Sequence, residues 1–194
     1  MLPNYCILDM IFVMDFSGGT LDKHNAYINI SSAIIESLSL SRSTIQVGMV
    51  RYSGPGRADT VFHLNKHNST KEAILDMKRA DHMGGVTYTG QAIQYSIKEF
   101  NEEYGGRKQS KKIIIIFTDG YSQDPSLAAE NATKLGIEIH AVAIDDELIK
   151  SHQKLQSQKF RIILFFLGRS ILIIHLYPTL HNYSMNTCLF SISF

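Results

Sequence analysis

The chain has 194 residues, of which 44% are hydrophobic, and its formal net charge is +1 at pH 7. That length and apolar content allow one domain with a sizeable core and exclude a collagenous, coiled-coil or globally disordered chain. The near-neutral charge argues against a dedicated nucleic-acid-binding protein, so we expect no nucleic-acid partner. Two cysteines are too few for a disulfide-stapled miniprotein or a four-ligand zinc site.

Apolar runs of strand length alternate with amphipathic helical stretches along the chain. The predicted strands are residues 9–15, 44–53, 59–65, 111–120 and 137–145. The predicted helices are residues 24–40, 69–80, 89–103 and 125–136. Strands that alternate with helices predict right-handed βαβ units. The expected fold class is therefore α/β, doubly wound, with a mostly parallel sheet and helices on both faces.

Three predicted loops carry oxygen-bearing side chains: DFSGG at 15–19, GGVTYTG at 84–90 and FTDG at 117–120. In a parallel sheet, ligands bind at the carboxyl ends of the strands, where Asp15 and Asp119 stand. The loops supply these two acids, Ser17, and Thr87 or Thr89. Hard oxygen donors with few carboxylates suit Mg²⁺ or Mn²⁺, which complete their shells with water. Taken singly, each loop also fits an ordinary turn or a helix cap.

The DxSx motif followed by a small residue, then GGVTYTGQAI, then IIIIFTDGYSQD together resemble a von Willebrand factor type A domain. The likeness is to the branch found in collagens, matrilins and integrin inserts, and it covers about residues 6–147. It implies a metal-ion-dependent adhesion site in which Asp15, Ser17, Thr87 and Asp119 hold Mg²⁺ or Mn²⁺. It also implies a non-enzymatic matrix or adhesion module whose protein partner completes the coordination with a Glu or Asp side chain.

Two features depart from the family pattern. The family's first loop is usually DxSxS, and Gly19 stands where the second hydroxyl belongs. That ligand is then a water or is absent, and Thr20 replaces it only if the loop shifts by one residue. The family also closes its sheet with one more strand and a C-terminal helix, which we expect to be missing or replaced here.

We expect a von Willebrand factor A-like domain over residues 1–147 and an atypical apolar tail over 148–194. All 18 acidic residues lie at or before Glu147, so the tail carries only positive charges. Three interpretations of the tail stay open: a membrane span over 160–180, a buried final strand and helix, or translated non-coding sequence. Two arginines and a histidine interrupt the apolar run, and charges at mid-bilayer are costly, so we do not expect a membrane partner.

Two other functions stay open. One is a structural matrix module with a non-functional metal site. The other is a magnesium-dependent phosphohydrolase like the haloacid dehalogenases, in which Asp15 is the nucleophile and Thr118, Asp145 and Asp146 follow. That mechanism needs a second Asp as the general acid where this chain has Ser17, so we expect no enzyme activity.

Several features bear on localisation. In many secreted members of the resembled family a cysteine before the first strand pairs with one after the last helix, which implies a disulfide for Cys6 with Cys188 as its partner. Four N-x-S/T sequons occur, and Asn68 and Asn131 are the expected glycosylation sites. The first residues lack a signal-peptide pattern. We expect an extracellular protein whose upstream segment is missing from this chain, or else an intracellular one.

Overall fold

The computed structural model describes residues 7–38, 40–119, 122 and 125–143, together with the backbone of residues 161–164. Within these residues six strands form one sheet: β1 (Leu8–Asp15), β2 (Ile45–Tyr52), β3 (Ala58–Phe62), β4 (Lys111–Thr118), β5 (Ile137–Ala143) and β6 (Arg161–Leu164). The α-helices are α1 (His24–Glu36), α2 (Thr70–Lys78), α3 (Thr89–Ile97) and α4 (Ser126–Lys134). Short 3₁₀ turns cover Gly18–Thr20, Lys98–Phe100 and Glu102–Tyr104.

The strand order in the sheet is β3-β2-β1-β4-β5-β6. Every neighbouring pair is parallel except β2 and β3, which are antiparallel, so β3 forms an antiparallel edge. β1 and β4 lie at the centre, and their continuous apolar runs suit strands that are covered on both faces. The prediction of a doubly wound, mostly parallel α/β sheet is confirmed.

Successive side chains of β1 enter two separate hydrophobic cores, because side chains alternate across a strand. Leu8, Met10, Phe12 and Met14 pack with α1 and α2 on one face of the sheet. Ile11 and Val13 pack with α3 and α4 on the other face. Each of these six side chains is at most 1% exposed, and full burial of one such side chain contributes about 1.5–3 kcal/mol. Asp9 and Asp15, the two acids of β1, lie on the same face of the strand as Ile11 and Val13, because side chains two residues apart share a face.

The helices are shorter than their amphipathic patterns predict. α1 ends at Glu36, and the Ser37 hydroxyl then donates to the Ile34 carbonyl at 2.7 Å, closing the last turn. α3 ends at Ile97 and continues as 3₁₀ turns to Tyr104. Ser69 precedes α2 as predicted, but its side chain makes no capping hydrogen bond. Apolar periodicity therefore located the helices, while local hydrogen bonds decided where they end.

A sixth strand is the main difference from expectation. The sequence predicts that the closing strand is missing or replaced, yet residues Arg161–Leu164 pair in parallel with β5. Ile162, Ile163 and Leu164 are apolar residues that a strand accepts, so residues 161–164 fit the interpretation in which the tail supplies a final strand. The rest of the tail and the expected domain boundary at 147 lie outside the described residues. Among those that are described, no helix is long and apolar enough to cross a membrane.

Candidate metal centre

The two candidate carboxylates stand side by side at the carboxyl edge of the sheet. Asp15 is the last residue of β1, and Asp119 directly follows β4. These strands are adjacent and parallel, and Met14 pairs with Phe117, which places Asp15 level with Thr118. The two acids are 0% and 5% exposed, so both are buried carboxyl groups.

Asp15 is held in place by the residues around it. Its Oδ1 accepts a hydrogen bond from the Ser17 backbone N–H at 3.0 Å, and its Oδ2 accepts one from the Thr118 hydroxyl at 3.1 Å. Burial raises the pKa of Asp15, and the nearby charge of Asp119 raises it further, against hydrogen bonds that lower it. The environment thus disfavours two negative charges at this edge unless a cation accompanies them.

Two hydroxyls from different loops meet beside these carboxylates. The Thr87 hydroxyl donates to Ser17 Oγ at 2.8 Å, although the two residues are 70 positions apart. Ser17 is 1% exposed, whereas Thr87 is half-buried. Thr89, the alternative candidate, is the first residue of α3, and its Oγ1 lies 2.9 Å from the Tyr52 hydroxyl. Of the two threonines, Thr87 is therefore the one that contacts another candidate ligand.

Backbone hydrogen bonds join the first two loops. The N–H groups of Met83 and Gly84 donate to the Phe16 carbonyl at 3.1 and 2.9 Å, and the Gly18 N–H donates to the Gly85 carbonyl at 2.8 Å. Gly84 and Gly85 have φ angles of 67° and 87°, in the left-handed region that favours glycine. The GG pair thus lets the second loop turn sharply enough to lie against the first.

The structure also decides between Gly19 and Thr20. A Cβ built on Gly19 would lie 3.0 Å from Asp119 Oδ2, so the side chain absent here would face that carboxylate. The Thr20 hydroxyl lies 2.6 Å from the Asp15 carbonyl and 3.0 Å from the Ser17 carbonyl. Thr20 therefore holds the loop together and does not supply the missing hydroxyl.

Three neighbouring residues were not predicted as part of a metal site. The sequence indicated a role for Thr118 only in the phosphohydrolase alternative, yet its hydroxyl contacts Asp15. Ser122 accepts a hydrogen bond from the Thr89 N–H at 3.0 Å and so joins the third loop to α3. Tyr27 of α1 is 0% exposed, and its hydroxyl has no hydrogen-bond partner among the described residues. Burial and the two carboxylates raise the pKa of Tyr27. Thr118 and Ser122 both lie in the stretch IIIIFTDGYSQD that carries the family resemblance, but nothing in the sequence indicated Tyr27.

The donor set fits a hard divalent cation. It combines two carboxylates with hydroxyl oxygens, and these are ligands suited to Mg²⁺ or Mn²⁺. Within the described ranges, no three His, Cys, Asp or Glu side chains cluster in a way that could hold a metal ion. His82 lies close to this loop, with its Nε2 3.5 Å from Thr20 Oγ1.

The remaining predicted residues lie away from this edge or outside the described part. Asn68 and Asn131 are both exposed, the first in the loop before α2 and the second within α4. Cys6, and with it the implied disulfide, falls outside the described residues. So do Asp145 and Asp146 of the phosphohydrolase alternative.

The fold and this edge define a class of protein: a doubly wound α/β domain with oxygen-bearing side chains gathered on loops at the carboxyl edge of the sheet. The sequence model of the von Willebrand factor type A domain matches residues 9–169. The chain belongs to that family.

Relatives with similar sequences include a collagen and a matrilin. The chain is 31% identical to human collagen alpha-5(VI) chain over 154 residues, which is 76% of this chain and 6% of the collagen. It is 34% identical to chicken matrilin-1 over 148 residues, or 73% of this chain and 30% of matrilin-1. The chain therefore spans less than a third of either relative.

Solved structures share the fold at lower identity. Proximal thread matrix protein 1 from the mussel byssus, with a zinc-occupied MIDAS motif, has a TM-score of 0.70 at 21% identity; the match covers 81% of this chain and 44% of the mussel protein. The manganese-loaded TRAP protein of Plasmodium vivax has a TM-score of 0.65 at 20% identity, with 78% of this chain and 62% of TRAP covered.

Proposed function

We propose that this domain is a non-enzymatic adhesion or matrix module that binds an acidic side chain of a partner protein through Mg²⁺ or Mn²⁺. Asp15, Ser17, Thr87 and Asp119 would hold the cation. The observation that carries the proposal is the meeting of the Ser17 and Thr87 hydroxyls, 2.8 Å apart, at the edge where both buried acids stand.

The chemistry of the donors explains why a partner carboxylate would bind. Hydroxyls are neutral, weak ligands, so a bound divalent cation keeps much of its Lewis acidity and attracts a further anionic oxygen. Asp15 and Asp119 supply the negative charge that retains the cation. Thr118 and the Ser17 N–H orient Asp15 through the hydrogen bonds to its two carboxylate oxygens. Neighbours loaded with zinc and with manganese support a cation at the corresponding place in the fold.

The contacts of Ser17 favour adhesion over hydrolysis. A phosphohydrolase of the alternative type needs a carboxylic acid at position 17 to protonate the leaving group. Here a serine hydroxyl occupies that position and accepts the hydrogen bond from Thr87. A serine hydroxyl is far too weak an acid for that role, so the arrangement supports binding without turnover.

The relatives support an extracellular location for this domain. Collagen alpha-5(VI), matrilin-1 and a nematode transmembrane cell adhesion receptor are among them. The exposed sequons at Asn68 and Asn131 suit a secreted domain, in which both would be glycosylated.

Thermal unfolding of the full chain in EDTA, Mg²⁺ or Mn²⁺ tests the proposal. A cation that binds only the folded state stabilises it by about 2.7 kcal/mol at a hundredfold excess over Kd. We expect each cation to raise the melting temperature and Asp119→Ala to abolish the rise. Asp81→Ala, which changes an exposed acid outside the site, is the control and should still show the rise in melting temperature. A cooperative transition that ignores both cations would instead favour the structural matrix module with a non-functional metal site.

A further inference from the structure

A groove of about 310 Å³ lies beside the candidate metal centre. One wall is the turn that joins β2 to β3, and the other is the solvent-facing side of α3. Buried Tyr52 and Ala92 form its floor. Ligand pockets start near this volume, so the groove has room for one or two side chains of a bound peptide.

The groove is positively charged. Arg57 and Lys98 line it, both exposed, and no acidic residue lies among its lining residues. The acids next to them in sequence are occupied elsewhere. Asp59 accepts from Arg51 Nε at 2.8 Å, and Glu99 is only 3% exposed and is hydrogen-bonded to a threonine and a histidine. An anionic group entering the groove would therefore meet two cations, and none of the described lining residues offers a competing carboxylate.

The groove is also preformed. The Gly56 N–H donates to Gln91 Oε1 at 3.0 Å and ties the turn to α3. Lys98 Nζ lies 5.8 Å from the centre of the Tyr95 ring, a cation–π contact that places the ammonium group over the groove wall. Little side-chain ordering is then required when a ligand binds.

One end of the groove adjoins the second metal loop. The Tyr88 N–H, one residue after Thr87, donates to the Ser53 carbonyl in the opposite wall at 2.9 Å. The Arg57 guanidinium donates to the Met83 carbonyl at 2.8 Å, within the segment that packs against the first metal loop. A peptide that extends from the candidate metal centre towards Tyr88 would therefore run into the groove.

We propose that the groove binds a second acidic side chain of the same partner segment whose first carboxylate is directed to the metal. The inference rests on the proposed function and adds to it the partner's chemistry: an extended peptide with two separated acids. α3 rises about 1.5 Å per residue, so Lys98 lies roughly 14 Å from the start of the helix. The start of α3, two residues after Thr87, marks the metal end of this path. Because an extended peptide advances about 3.3 Å per residue, the second acid would then stand four or five residues from the first.

Fluorescein-labelled synthetic peptides with a glycine–serine backbone test this, with binding followed by fluorescence anisotropy in Mg²⁺. One peptide carries a single glutamate, and the others carry a second glutamate two, four, five or eight residues away. We expect the peptides with spacings of four and five to bind about two- to fivefold more tightly than the single-glutamate peptide. This gain should fall as salt rises, because the pairs are exposed.

The variants Lys98→Gln and Lys98→Glu test whether the groove causes the tighter binding of the two-glutamate peptides. Lys98 is exposed and follows α3, so neither change removes a buried contact. In Lys98→Gln we expect the two-glutamate peptides to bind no more tightly than the single-glutamate peptide, and in Lys98→Glu we expect them to bind more weakly. Mg²⁺-dependent binding of the single-glutamate peptide should be unchanged in both variants. Lys78→Gln is the matched control: an exposed lysine at the end of α2, a helix that packs on the opposite face of the sheet.

The outcomes separate this inference from the proposed function. The groove assignment is wrong if the second glutamate does not increase the affinity at any spacing, or if the increase persists in both Lys98 variants. Either result leaves the proposal of a metal site unaffected. If no peptide binding depends on Mg²⁺, the proposed function fails, and binding in EDTA then decides the groove. Two-glutamate peptides that bind wild type but not Lys98→Glu in EDTA would keep the groove as an anion subsite, and absence of such binding would reject it.

Discussion

Gly19 determines how many protein ligands the first loop can offer. Its missing side chain would face Asp119, and Thr20 is held by two backbone carbonyls and cannot replace it. The loop keeps its shape without that hydroxyl, because Asp15 and Thr20 still bond to the backbone around Ser17. The departure from the family pattern therefore removes one candidate donor but leaves the contacts that hold the loop.

Restoring that donor should strengthen cation binding. We expect Gly19→Ser to lower the Kd for Mn²⁺ by about tenfold, or roughly 1.4 kcal/mol, because a hydroxyl is added next to the Asp119 carboxylate. Isothermal titration calorimetry measures the affinity directly. Gly19→Ala adds the same Cβ, 3.0 Å from Asp119 Oδ2, without the oxygen, and should not improve binding. Equal gains in both variants would show that loop rigidity, not ligation, limits the affinity.

At the scale of elements, β1 carries a buried acid at each end, and the two have different roles. Asp15 ends the strand at the metal edge, whereas Asp9 lies near the opposite edge and is 0% exposed. The Arg107 side chain donates to Asp9 Oδ1 from Nε at 2.8 Å, and its backbone N–H donates to Oδ2 at 2.8 Å. The guanidinium also donates to the Leu8 and Thr44 carbonyls. Arg107 thus ties the starts of β1 and β2 to the segment before β4.

Removal of Arg107 should cost stability but not cation affinity. We expect Arg107→Ala to lower the free energy of unfolding by about 3 kcal/mol, because it leaves the buried Asp9 carboxylate without its cationic partner. Urea denaturation measures the loss. Lys108→Ala is the control, since Lys108 is 86% exposed and pairs with the exposed Glu102, and it should cost less than about 1 kcal/mol. A large change in the Mn²⁺ affinity of Arg107→Ala would contradict the idea that Asp9 and Asp15 have independent roles.

At the scale of the whole molecule, the sheet separates the candidate metal edge from the edge that carries Asn68. The parallel strands bring the metal loops to their carboxyl ends, while antiparallel β3 returns the chain to the other edge, where Asn68 lies. There the Arg42 Nε donates to Asn68 Oδ1 at 3.2 Å, in the loop region before β2. A glycan on Asn68 would therefore stand away from the metal centre and leave it accessible.

Stability in acid depends on a charge cluster at β5, also remote from the metal edge. The His140 ring, whose Nε2 lies 3.6 Å from Glu138 Oε2, and then the Lys111 ammonium group at 3.1 Å lower the pKa of half-exposed Glu138 to about 2. A carboxyl group whose pKa is depressed by folding stabilises the protein above its unfolded value, near 4.5, and this contribution disappears as the pH falls towards 2.

Glu138→Gln should therefore flatten the pH dependence of the unfolding free energy between about pH 5 and 2. Denaturant titrations at several pH values in EDTA check this without interference from bound cations. Glu103→Gln, at an exposed position in a 3₁₀ turn, serves as the control and should keep the wild-type slope. An unchanged slope in Glu138→Gln would mean that the contacts with His140 and Lys111 do not persist in solution.

Local patterns in the sequence were sufficient for most of the fold and for the candidate ligands. The run of four isoleucines in β4 and the apolar run of β1 predicted central strands, because only strands covered on both faces bury such runs. The acids at the ends of those strands predicted which edge would carry Asp15 and Asp119, because parallel strands end at the same edge. The tail lacks any comparable pattern, and the pairing of β6 with β5 could not be predicted from it.

The sequence by itself determined the fold class, the strand order along the chain and the residue types available at the metal edge. Only the tertiary structure decided that the Thr87 hydroxyl reaches Ser17, that Tyr27 lies buried with a hydroxyl lacking a partner among the described residues, and that a basic groove adjoins the second loop. The physical reason is that hydrophobic periodicity and turn-forming residues are local features of the sequence, whereas these contacts join segments far apart in the chain. Their distances depend on how the loops turn at residues such as Gly84 and on how the helices pack against the sheet.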